Sequence, residues 1–126
     1  MAQPAVRQYD VAARSTDIFG RVLASVRDHH YIVDGPVHNG CPGEEVTPSE
    51  LFLSAVASCG VELLQTIARA QSIPLTTVSV AIRGTMDPAH PVRPDVNLFN
   101  AVHLQFHLGG VTQDQAETLI DAFRHR

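Results

Sequence analysis

Apolar and polar residues alternate along several stretches of the chain, and this two-residue period predicts β-strands. Val22, Ala24 and Val26 fall on one face of the segment Phe19–Arg27, with Arg21, Leu23, Ser25 and Arg27 on the other. Tyr9–Ala13 and His30–Asp34 read as shorter strands on either side of it, the second ended by Gly35-Pro36. Later, Val78, Val80 and Ile82 alternate within Thr77–Gly84, and Val102, Leu104, Phe106 and Leu108 do so within Leu98–Leu108. Pro88, Pro91 and Pro94 make the intervening stretch a loop.

Between Thr47 and Ser72 the period changes. Thr47 suits a helix N-cap, Pro48 the first helical turn, and Glu50 completes a capping box. Ser72-Ile73-Pro74 stops the helix, because proline has no amide donor to continue it. From Leu51 to Ala57 the helix has no polar stripe and is expected to be buried on all sides; a polar face begins only at Glu62, with Gln65, Thr66 and Arg69. A second helix begins at Thr112, with Gln115 closing another capping box. Its apolar stripe is Ala116, Leu119, Ile120 and Phe123, and the pattern runs to Arg126. The order is three strands, a long helix, two strands and a helix. That is an α+β fold of antiparallel sheets on a long buried helix, expected as a single domain over 1–126. One small sheet cannot cover a helix that is apolar all round, so a second subunit, in a homodimer, is expected to complete the cover.

Composition narrows the function classes. The chain has 126 residues, a net charge of −4 and no basic run, which argues against a nucleic-acid partner. No uninterrupted apolar run approaches the ~18 residues of a membrane span, so no membrane partner is expected. Residues 1–7 read as a loose leader, and MAQPAVRQYD lacks the basic-then-apolar order of an export signal, which points to the cytoplasm. There the two cysteines, Cys41 and Cys59, are expected as thiols.

Cys59 is the one reactive side chain at the middle of the long helix, next to Gly60, where another backbone can approach closely. It has two readings: a small buried hydrophobe, or a nucleophile. Apolar burial disfavours a thiolate and Glu62, at i+3, repels one, so a nucleophile would need a cation from elsewhere in the fold. Arg21 and Arg27 are the plausible donors, ahead of Arg69 and Arg83. Cys41 lies in a Gly- and Pro-rich loop, either an incidental thiol or one that resolves an oxidised sulfur. His103 and His107 share a strand face roughly 13 Å apart, too far for one ion, so no metal is expected. No phosphate loop and no nucleophile elbow is present, and no cofactor is expected.

The string Thr47-Pro-Ser-Glu-Leu-Phe-Leu-Ser-Ala-Val-Ala-Ser-Cys59 resembles the central-helix motif of the OsmC/Ohr family, named for osmotic induction and organic hydroperoxide resistance. Ile32–Pro36, Val78–Gly84 and the Thr112-capped ending follow in the same order, so the resemblance runs from about Val11 to Arg126. It implies an OsmC-like fold in an intertwined homodimer. It also implies a thiol-dependent peroxidase that takes small-molecule peroxides and is recycled by a dithiol reductant. By the same resemblance Cys59 is the peroxidatic cysteine, Arg21 supports its thiolate, and Glu50 pairs with that arginine. The family's best-characterised branches place the glutamate directly after the proline; here Ser49 stands there and Glu50 follows. The family's resolving cysteine would fall just beyond Arg126, and Cys41 is a separate candidate for that role. A redox-inactive dimer holding a small apolar ligand beside the helix is the second reading.

Overall fold

The computed structural model describes residues 4–126. The leader expected at residues 1–7 lies outside the described residues as far as residue 3, and residues 4–10 form no regular element. The chain folds as two compact units, Met1–Leu51 and Phe52–Arg126.

In the first unit β1 (Val11–Ser15), β2 (Arg21–Val26) and β3 (His29–Asp34) form an antiparallel sheet in that order. On β2 Ala24 is buried, on the face it shares with Val22 and Val26, and Val22 pairs with the buried Val33. Arg27 departs from expectation. It sits in the β2–β3 turn with φ of 52°, so it belongs to neither strand face. The left-handed conformation ends the strand there, because its side chain no longer follows the strand's alternation. Beyond β3 the chain turns through a short 3-10 turn, Val37–Asn39. It then folds back on the sheet through backbone bonds from Gly35 to the Gly20 carbonyl (2.8 Å) and from Asp34 to the Val46 carbonyl (3.1 Å).

The long helix α1 (Pro48–Ala70) carries the chain into the second unit. There β4 (Thr77–Thr85) and β5 (Ala101–Gly109) pair antiparallel from Thr77↔Gly109 to Thr85↔Ala101, and α2 (Gln113–Arg124) follows. Val78, Val80 and Ile82 alternate with exposed neighbours, as the two-residue period predicts. Leu64, Ile67 and Ala68 of α1 meet Leu119 of α2, and Val78, Phe106, Leu108 and Phe123 pack around them. Gly60 lets α1 close on the second sheet: a Cβ there would lie 3.2 Å from the Phe106 ring.

Several details differ from the sequence reading. Within one chain the apolar first half of α1 is covered only in part, Phe52 and Ala55 being exposed, whereas burial concentrates at Gly60, Leu64, Ile67 and Ala68. The core of the second unit gathers on the later turns of the helix, where the polar face was expected to open. By length and composition α1 is also apolar enough to cross a membrane, with 22% of that stretch buried within the chain. β5 starts at Ala101, not Leu98, because Asn100 ties down the preceding loop. Its side chain accepts from the Asp87 amide (2.7 Å) and donates to the His90 carbonyl (2.6 Å). Finally, α2 ends at Arg124 with His125 as its cap rather than running on to Arg126.

Candidate functional site

The start of α1 is set by its own sequence. The Glu50 carboxylate accepts from the Thr47 amide (3.0 Å) and hydroxyl (2.8 Å), while the Thr47 hydroxyl accepts from the Glu50 amide (3.4 Å). Both bonds to its charged oxygen, the amide's first, hold Glu50 below its ordinary carboxylate range. Glu50 is therefore engaged with its own helix cap. Cys59 lies nine residues further on, roughly 13 Å along the axis. Within one chain it is an exposed free thiol. Its neighbour Gly60, about 100° round the helix, faces the core.

Arg21 opens β2 and lies directly across the ladder from Asp34, the last residue of β3. Its Nε donates to Asp34 Oδ1 at 2.8 Å and its Nη2 to Oδ2 at 2.9 Å. The same Oδ2 accepts from the amides of Glu44 (3.0 Å) and Glu45 (2.9 Å), and Arg21 Nη2 also reaches the exposed Glu44 carboxylate at 3.3 Å. Asp34 is fully buried and fully satisfied by this set. The Arg21 bond holds Asp34 far below the ordinary carboxylate range against the opposing effect of burial, and the two amides add to it. The Asp34 bond in turn raises Arg21 above its already high value, so the guanidinium stays charged. Sequence reading used Asp34 only as a strand end. Counting back from a tight Arg27-Asp28 turn would have set it opposite Arg21.

Cys41 is half-buried, its thiol a weak donor to the Asn39 carbonyl at 3.9 Å. It packs where β2 begins and β3 ends, against Gly20 and Gly35; a Cβ on either glycine would overlap it. On the outer face of the second sheet His103 lies opposite Arg83 and His107 opposite Ser79. Among the described residues no three His, Cys, Asp or Glu side chains gather as a metal site.

The family model described as OsmC-like protein matches residues 41–126, which hold Cys41, Glu50 and Cys59. The chain belongs to the OsmC-like family. This OsmC-like chain superposes on an OsmC-like protein from Mycoplasma pneumoniae with a TM-score of 0.80 at 17% identity, covering 95% of this chain and 82% of that one. An organic hydroperoxide resistance protein OsmC from Legionella pneumophila matches with a TM-score of 0.76 at 21% identity, over 97% and 85% of the two chains. One from Elizabethkingia anophelis, with crystallant-derived thiocyanate bound, gives 0.77 at 15% identity over 98% and 85%. At these identities the likeness establishes the shared OsmC-like fold: two antiparallel sheets and a long central helix. A sequence search of curated proteins finds no match.

Proposed function

We propose that this OsmC-like protein is a thiol-dependent peroxidase that reduces organic hydroperoxides or hydrogen peroxide through Cys59, in defence against oxidative stress. The observation that carries this reading is the position of Cys59, an exposed free thiol at the cysteine of the family's helix motif. The Cys59 thiolate attacks one peroxide oxygen; the S–O bond forms as the O–O bond breaks, and the leaving alkoxide takes a proton to become the alcohol. Sulfur is thereby oxidised to the sulfenic acid. A second thiol then condenses with it, forming a disulfide and releasing water, and a dithiol reductant returns both sulfurs to thiols. Arg21 is the cation proposed to favour the thiolate, and Glu50, which caps the helix through one carboxylate oxygen, is the carboxylate proposed to pair with that arginine in the working form. Cys41 is the chain's own candidate for the second thiol, and must leave its place against Gly20 and Gly35 to serve. The working form proposed is a homodimer in the cytoplasm; Phe52, 54% exposed on α1, is apolar surface that a second subunit would cover.

The test is intact mass after about one equivalent of cumene hydroperoxide with dimedone present, on wild type and Cys41→Ser. A dimedone adduct on Cys59 is expected in both proteins. A two-hydrogen loss that disappears in Cys41→Ser identifies Cys41 as the resolving thiol. No mass change overturns the peroxidase reading. It favours instead a redox-inactive dimer that holds a small apolar ligand beside α1.

A further inference from the structure

We infer that Asp34 is the positioning residue for Arg21, and that it fixes which edge of the guanidinium remains free to act. This rests on the reading above, in which Arg21 supports the Cys59 thiolate. A guanidinium has five N–H donors in a rigid plane, and a carboxylate meeting it side-on fixes the plane as well as the distance. Asp34 takes the Nε and Nη2 edge. Among the described residues Nη1 has no partner, and the side chain keeps 21% exposure. The free donor is thus aimed by the bonds on the opposite edge.

Asp34 can do this because it does not itself swing. It is at a strand end, fully buried, and tethered by the Glu44 and Glu45 amides on the same oxygen that receives Nη2. Those amides belong to the stretch that returns from Cys41 to the start of α1, so one carboxylate joins the β2–β3 hairpin to that loop. Glu44 reaches Nη2 from an exposed position at a longer distance and is the weaker hold. Among the described residues Glu50 bonds Thr47 through Oε1 and makes no bond to Arg21, so Asp34 alone takes both donors of this edge.

The experiment compares wild type, Asp34→Asn, Asp34→Glu, Glu44→Gln and Arg21→Ala. It reads the NMR signal of the Arg21 Nε–H, the rate of Cys59 alkylation against pH, and kcat and KM for cumene hydroperoxide. The wild type should show a slowly exchanging Nε–H that Asp34→Asn loses. Alkylation at neutral pH and kcat should both fall about tenfold in Asp34→Asn, most of the way to Arg21→Ala, with KM little changed. Asp34→Glu should recover part of the rate, since it keeps the charge but displaces it; Glu44→Gln should stay within about twofold of wild type. Wild-type alkylation and kcat in Asp34→Asn beside a slow Arg21→Ala would overturn the inference. If Asp34→Asn does not fold, a wild-type pH profile in Asp34→Glu overturns it equally. A wild type inert to peroxide sinks the peroxidase reading separately; the Nε–H signal then still decides whether Asp34 fixes Arg21.

Discussion

Arg21 and Asp34 meet edge to edge, with two parallel bonds of 2.8 and 2.9 Å between the first residue of β2 and the last of β3. Since bonding depresses the Asp34 carboxyl below its ordinary range, the pair stabilises the folded chain fully above about pH 5, where the unfolded carboxyl is ionised. That contribution is lost progressively as pH falls toward the lower folded value. Melting curves of wild type and Asp34→Asn should therefore differ by a constant margin from pH 7 to about 5 and converge below about 4. An equal margin at pH 6 and pH 3 would mean that Asp34 titrates alike in both states.

Cys59→Ser removes the nucleophile from an exposed position and replaces it with a near-isostere. Peroxide consumption should fall to background while far-UV circular dichroism stays the same and stability shifts by less than about 0.5 kcal/mol. Turnover that survives the substitution would remove Cys59 from the reaction.

Gly84 sits within β4 where a Cβ would lie 2.6 Å from the Phe99 ring and 3.0 Å from Leu53. Phe99 is itself held against Phe52, with the rings 16° from parallel, so it has little room to retreat. Gly84→Ala should cost about 1–3 kcal/mol by overpacking, read by urea denaturation. A neutral result would show that the Phe99 loop yields freely.

At Gly60 the balance is different. A Cβ there would meet the Phe106 ring at 3.2 Å and the Phe123 ring at 3.5 Å. Alanine's helix propensity offsets much of that crowding, by about 1 kcal/mol. A branched side chain has no such compensation. Gly60→Val should lose about 1–3 kcal/mol and disturb the edge-to-face contact of Phe106 with Phe123, visible in their aromatic NMR shifts.

The strands and helices were legible because period and caps act locally: Val78–Ile82 alternate, and Thr47 with Glu50 signs the start of α1. The exposure of Cys59 was not, because a helix apolar all round reads the same whether or not its own chain covers it. Asp34 was missed for a related reason. Its importance lies in a cross-strand register, and register depends on the turn at Arg27, which read as strand. Phe99 and Asn100 read as the start of the strand from Leu98, so neither the anchoring of the loop by Asn100 nor the clash of Phe99 at Gly84 could be read from spacing. The family motif on α1 marks the cysteine and the helix together, whereas the partners of Arg21 are brought to it only by the fold.

Gly20, Gly35 and Cys41 divide a single volume among them. Over evolutionary time these positions cannot drift independently. Gly20, at φ of 81°, is further confined by its backbone and has little to trade. Position 35 can gain a side chain only when position 41 gives its own up. Relatives that carry a larger residue at the first should therefore carry glycine at the second, whatever thiol chemistry they retain on the helix.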